Sequence, residues 1–242
     1  MKSLIIGGSA GLGRAIAERL AMSGHELFLV ASDTNKLAAT SREIARRFHV
    51  KTFYKAMDMA APDPAALHRL VLKRLGRIDN LFYIAGRAIG DTGTLEDAVV
   101  EQLLAINFVS GVRLINAFID DIANRRGANL VGIGSVASTR GRRRNSVYGA
   151  AKRGLETYFE AVRHRLAGRP CKVQFYRAGY LKTRMTAGQK FSFPALGPDE
   201  AAARIVDNLG KDLGAVYLPR WWWAITLVLR LLPWAVFKRL DI

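Results

Sequence analysis

The sequence predicts an α/β fold, a single domain of repeated βαβ units around a parallel sheet. Three observations predict it. Short apolar runs alternate with longer amphipathic segments along most of the chain. A glycine-rich turn joins the first apolar run to the first helical pattern. The 242 residues, 50% of them hydrophobic, suffice for one substantial core and fit one α/β unit better than two small ones.

The apolar runs cover residues 3–6, 27–31, 78–85, 128–134 and 172–176, each followed by a helical pattern. Before the first glycines stand only Leu4, Ile5 and Ile6, far short of a secretory hydrophobic region, so the chain is expected to begin inside its fold. No repeat, low-complexity tract or linker interrupts residues 1–219, the expected domain; composition shifts after Pro219, leaving 220–242 as an apolar, amphipathic helical extension. The lone Cys171 excludes an internal disulfide. A net charge of +17 draws the surface toward something anionic: nucleic acid, an anionic bilayer or a phosphorylated substrate.

The first turn reads GGSAGLG, residues 7–13, and opens onto RAIAERLAMSG. Glycines let the backbone turn tightly and approach a pyrophosphate, whose charge the amides of a helix N-terminus can hold. A plain strand-to-helix turn is the alternative. Further on, SVASTRGRRRNSVYGAAKRG places Ser135 thirteen residues before Tyr148 and Lys152 four after it. Positions i and i+4 share a helix face, so Lys152 can supply a cation that favours the Tyr148 phenolate. An ordinary surface pair is the competing reading of Tyr148 and Lys152.

The spacing of Gly7, Gly11 and Gly13, with Ser135, Tyr148 and Lys152 in register, resembles the short-chain dehydrogenase/reductase family over residues 3 to about 217. The resemblance implies a Rossmann-type doubly wound parallel sheet and an NAD(P)-dependent reduction of a ketone to a secondary alcohol. It implies Asn107, Ser135, Tyr148 and Lys152 as the catalytic set, Asn107 linking Lys152 to solvent through a water. For the cofactor it implies Gly7, Ser9, Gly11, Leu12, Gly13, Ser32, Asp58, Ala85, Gly86 and Thr183, together with Tyr148 and Lys152; no metal is implied. Ser32 stands where an NAD-selecting acid is usual, Asp33 follows it, and Arg14 is a candidate phosphate partner, so NADP(H) is preferred over NAD(H). The chain departs from the family pattern at Ile6, Ile84 and Ala178, where Thr, Asn and Pro are usual.

From Arg140 to Leu155 lie six cations and no acid. Arg140, Arg142, Arg143 and Arg144 are candidate ligands of a substrate phosphate, helped by Lys182 and Arg184; a solvated basic loop is the alternative. In the tail, Trp221 to Phe237 is an apolar run of 17 residues broken by Arg230 and Pro233, too short for a confident membrane span. Its tryptophans and flanking cations suit a membrane interface, whereas burial against another subunit of a homo-oligomer is the competing use. With these features the chain resembles the branch of the family that reduces the 2-keto group of a polyprenyl-phosphate-linked pentose, which implies a lipid-linked anionic substrate and a partner oxidase. The expected location is cytoplasmic, peripheral at the cytoplasmic face of a membrane. A soluble or acyl-chain carbonyl substrate is the second reading; a non-enzymatic basic module binding nucleic acid is the third, and it leaves the Ser135, Tyr148, Lys152 register unexplained.

Overall fold

The computed structural model describes residues 1–242 apart from 92–93, 184–185, 187, 189–190 and 241–242. In chain order the elements are β1 (Lys2–Ile6), α1 (Gly11–Met22), β2 (Glu26–Ala31), α2 (Thr34–Phe48), β3 (Thr52–Ala56), α3 (Pro64–Leu75) and β4 (Asn80–Tyr83). Next come α4 (Asp97–Leu104), α5 (Ser110–Ala123), β5 (Asn129–Ser135), α6 (Ser146–Arg165) and β6 (Lys172–Ala178). The chain finishes with α7 (Pro198–Val206), β7 (Gly214–Leu218), α8 (Trp222–Leu231) and α9 (Trp234–Phe237).

The seven strands form one sheet in the order β3-β2-β1-β4-β5-β6-β7, and every pairing is parallel. From β1 the chain winds outward to β3, then returns to β4 on the other side of β1. The order therefore reverses between β1 and β4, and a crevice opens beyond their carboxyl ends. Parallel strands buried on both faces read as continuous apolar runs, as in SLII and LFLVA. One face carries Leu67 and Val71 of α3, Leu114 and Phe118 of α5 and Phe159 of α6. The other carries Ile16 and Leu20 of α1, Leu37 and Ile44 of α2 and Ile205 of α7. The result is a doubly wound, Rossmann-type, three-layer domain with a helical C-terminal extension.

Two strands, β3 and β7, fall outside the apolar runs named above. The edge strand β3, TFYKA, leaves Tyr54 and Lys55 exposed, and β7, at the opposite edge, is only half-covered. An edge strand buries too little surface to need a hydrophobic run. Helix α1 begins at Gly11, three residues before its amphipathic pattern starts, because the glycine turn itself supplies the first helical residues.

Candidate active site

At the end of β1 the backbone folds back on itself. Gly7 N donates to Val30 O (2.7 Å), and Gly7 has φ +100°. A Cβ on Gly7 would lie 2.7 Å from Ala85 N, and one on Gly13 would lie 2.0 Å from Gly7 O. No side chain fits at either position, so the turn stays open and α1 begins flush with the sheet edge. Ala10, the N-cap residue of α1, offers no side-chain bond. The first amides of the helix are thus left for an external anion. Beside them lies a depression of about 380 Å³ lined by Ser9, Ala10, Gly11, Arg14, Lys36, Ala39 and Thr40. This cradle at the switch point fits a dinucleotide pyrophosphate, with Ser9, Gly11 and Leu12 forming its turn.

The remaining cofactor candidates ring the same crevice. Ala85 N donates to Ile6 O (3.0 Å), and Thr183 approaches Gly11. Ser32 is exposed just after β2. Asp33 caps α2, accepting from Lys36 N (3.0 Å) and pairing with the Lys36 ammonium (3.0 Å). Asp58, exposed beyond β3, accepts from Ala60 N (2.8 Å). Arg14 is engaged by Glu18 and Glu43, both at 2.7 Å, so it enters the cradle as part of an ion-pair network.

The catalytic candidates come from three elements. Ser135 ends β5 and its Oγ accepts from Ala137 N (3.1 Å), which fixes the side chain at the strand tip. Tyr148, half-buried in the first turn of α6, has its hydroxyl beside that of Ser135. Burial holds the Tyr148 phenol above its ordinary pKa, and the neighbouring Ser135 hydroxyl only partly offsets this. The expected cation-driven fall is therefore not seen: desolvation dominates, and the phenol keeps its proton. Lys152, one turn further, is buried, and its Nζ reaches Ala85 O (3.4 Å) and Ile133 O (3.3 Å). Desolvation pushes its pKa down to about 8.

Asn107 lies in a π-helical turn, Ala105–Val109, between α4 and α5. Its Nδ2 donates to Arg87 O (2.8 Å) and Leu103 O (2.9 Å), and its Oδ1 accepts from Arg87 N (3.0 Å). A Cβ on Gly86 would lie 3.0 Å from Lys152 Nζ and 3.1 Å from Asn107 Oδ1, so Gly86 is the space between those two groups. A π turn displaces one backbone bond. Here Tyr83 compensates, its buried hydroxyl donating to Ile106 O (2.7 Å) beside Ser110 Oγ (2.6 Å).

The four arginines do not act as one group. Arg140 donates to Leu229 O and to Leu232 O (2.7 Å) and lies over the Phe237 ring at 3.8 Å. Arg143 donates to Lys238 O (3.1 Å). Both hold the tail. Arg144 meets Asp91 through its backbone carbonyl, which accepts from Asp91 N (3.0 Å). Arg142 is the one turned toward the site: its Nη2 donates to Val136 O (3.1 Å), it faces Tyr180, and no carboxylate pairs with it among the described residues. Burial lowers its pKa, the sign of a cation short of solvent and anion alike. Lys182 N donates to Leu196 O (2.8 Å), and Arg184 lies outside the described residues.

Three features escaped the sequence reading. Asp91, 2% exposed, caps α6 from 55 residues away, accepting from Ser146 N (2.9 Å), Ser146 Oγ (2.7 Å) and Val147 N (3.2 Å). Glu156, buried one turn beyond Lys152, accepts from Ser138 Oγ (3.0 Å) and pairs with Arg177 (2.6 Å) and Arg153 (3.1 Å). An aromatic wall of Tyr180, Phe193, Trp221 and Trp222 stands beside Arg142, with Trp222 packed over Gly179. Only Glu156 left a signal, since 148, 152 and 156 form one i, i+4, i+8 stripe.

A dinucleotide cradle at the switch point, with a Ser–Tyr pair and a buried lysine at its mouth, defines a nicotinamide-dependent oxidoreductase. The short chain dehydrogenase family matches residues 2–191. The chain belongs to that family and is an NAD(P)-dependent oxidoreductase. It is 28% identical over 247 residues to an uncharacterized oxidoreductase of Mycobacterium tuberculosis, covering 98% of this chain and 96% of that one. It is 28% identical over 227 residues to the 3-oxoacyl-acyl-carrier-protein reductase of Escherichia coli, covering 88% and 91%. Among solved structures, a short-chain dehydrogenase from Sphingobium yanoikuyae in complex with NADPH superposes with a TM-score of 0.80 at 24% identity, over 99% of this chain and 96% of that one.

Proposed function

We propose that this enzyme uses NADP(H) to reduce a ketone to a secondary alcohol on a substrate that carries a phosphate. The observation that carries the reaction is the Ser135–Tyr148 hydroxyl pair, set at the switch point with Lys152 buried behind it. A phenol held above its ordinary pKa is a proton donor at neutral pH, suited to a carbonyl oxygen that gains negative charge. Ser135 fixes that oxygen by a second hydrogen bond. Lys152, mostly protonated below about pH 8, favours the phenolate that Tyr148 becomes after donation. The hydride would come from the dinucleotide held in the cradle lined by Ser9, Gly11 and Arg14. For NADP(H) the supports are Lys36 and Arg14 at the edge of the cradle and an exposed Ser32 where an acid would repel a 2′-phosphate.

The substrate reading rests on Arg142. A half-buried guanidinium without a carboxylate partner, beside an aromatic wall and next to the catalytic strand, is built for an anion attached to an apolar body. That fits the polyprenyl-phosphate-linked 2-keto-pentose of the branch containing decaprenylphosphoryl-β-D-erythro-pentosid-2-ulose 2-reductase. The test is NADPH and NADH consumption with keto-sugar lipid phosphates and with neutral ketones. Tyr148→Phe should lose at least about a hundredfold in kcat. Arg142→Met should raise KM for the phosphate-bearing ketone by about tenfold or more and leave the neutral one unchanged. A parent-like rate in Tyr148→Phe would overturn the reaction; equal effects of Arg142→Met on both ketones would overturn the phosphate.

A further inference from the structure

The C-terminal helices have two unlike faces. Trp222 and Thr226 of α8 point inward, each 1% exposed, and Phe237 of α9 lies under Arg140. The opposite face is bare: Trp223 is 60% exposed, Leu227 41%, Val228 59%, Leu231 74%, Trp234 68% and Val236 46%. Trp223, Leu227 and Leu231 recur every four residues and form one stripe along α8. Soluble surfaces seldom leave so continuous an apolar strip uncovered.

What covers it is indicated by charge. Arg220 and Arg230 bracket the stripe at its two ends, and Lys238 and Arg239 follow α9; all four are exposed and make no ion pair among the described residues. No acidic residue occurs between Asp212 and Asp241. A second copy related by a two-fold axis would bring these same cations face to face with no acid to answer them. A bilayer with anionic headgroups answers both parts, taking the apolar stripe below the headgroups and the cations among them. Length excludes crossing: ten residues of α8 span about 15 Å against a hydrocarbon core of about 30 Å, and Pro233 ends the helix.

We propose that the outward face of α8 and α9 docks this enzyme on the surface of an anionic membrane. The docked element is tied to the catalytic mouth. Arg140 and Arg143 bind tail carbonyls from the loop that follows Ser135, and Trp222 walls the cleft from the inner side of the same helix. A membrane-docked tail thus sets the active site beside the lipid, whatever ketone it reduces.

The test uses the full chain, without cofactor, sedimented with vesicles of phosphatidylcholine alone or mixed with phosphatidylglycerol. The protein should pellet with the anionic vesicles only, and partition should weaken with salt, each contributing cation accounting for about fivefold. Leu231→Glu combined with Trp234→Glu should stay in the supernatant while circular dichroism and melting temperature hold, because both side chains are exposed. The parent staying in the supernatant at low salt would overturn the proposal, as would equal pelleting of the double variant. A dimer seen by light scattering in the parent and lost in the double variant would assign the face to a second copy and overturn it too.

Discussion

At the scale of the residue, Lys152 carries the sharpest conflict between stability and chemistry. It is 3% exposed, and among the described residues its ammonium bonds two carbonyls, both beyond 3.2 Å, so burial holds its pKa near 8. Between about pH 8 and 10.5 the unfolded chain keeps this proton and the folded one releases it, so stability rises with pH across that window. Below about 8 the full penalty is present. Lys152→Met should therefore raise the stability of the cofactor-free protein at pH 7 by roughly 1–3 kcal/mol while abolishing ketone reduction. Paired urea titrations at pH 7 and pH 10 check this, since the gain should shrink at the higher pH. Tyr148 and Lys152 were legible because their relation is a helix spacing written in the linear sequence. The rise of the Tyr148 pKa was not, because desolvation depends on what the folded chain packs around the phenol.

At the scale of the element, α6 presents the site and is held at its start and along its inner side. Its N-terminus lacks a local side-chain cap, and Asp91 supplies one from the segment after β4. Along the helix, Glu156 bonds Ser138, whose hydroxyl also meets Ser135 O (2.7 Å), so the brace links α6 to the tip of β5. Asp91→Ala should cost about 1–2 kcal/mol of stability and lower kcat more than it raises KM, since it loosens the turn that carries Tyr148. A thermal melt beside steady-state kinetics reads both. Neither brace could be seen in the sequence, since Asp91 meets α6 across 55 positions and Arg177 meets Glu156 across 21. The central strands were legible as apolar runs; β3 was not, for an edge strand needs no such run, and the short run AVYL of β7 was passed over. The π turn that presents Asn107 is set by Tyr83 on a strand and has no local sequence mark.

At the scale of the molecule, the question is whether residues 220–242 are an appendage or part of the fold. Composition sets them apart, but the contacts do not. Trp222 is among the largest fully buried side chains, stacked on Trp221 at 5.0 Å and edge-on to Tyr180 at 5.3 Å. The sequence separated the tail because apolar content alone does not say which face of a helix is covered. Trp222→Ala should cost about 3–5 kcal/mol, as a buried indole does, and should raise KM by widening the aromatic wall of the cleft. A glutamate at Trp223, one residue on but 60% exposed, should shift the urea midpoint little. Measuring both variants under one denaturant series separates the two faces. If they lose equal stability, the tail is packed on both sides in solution; if neither does, α8 is not part of the folded domain.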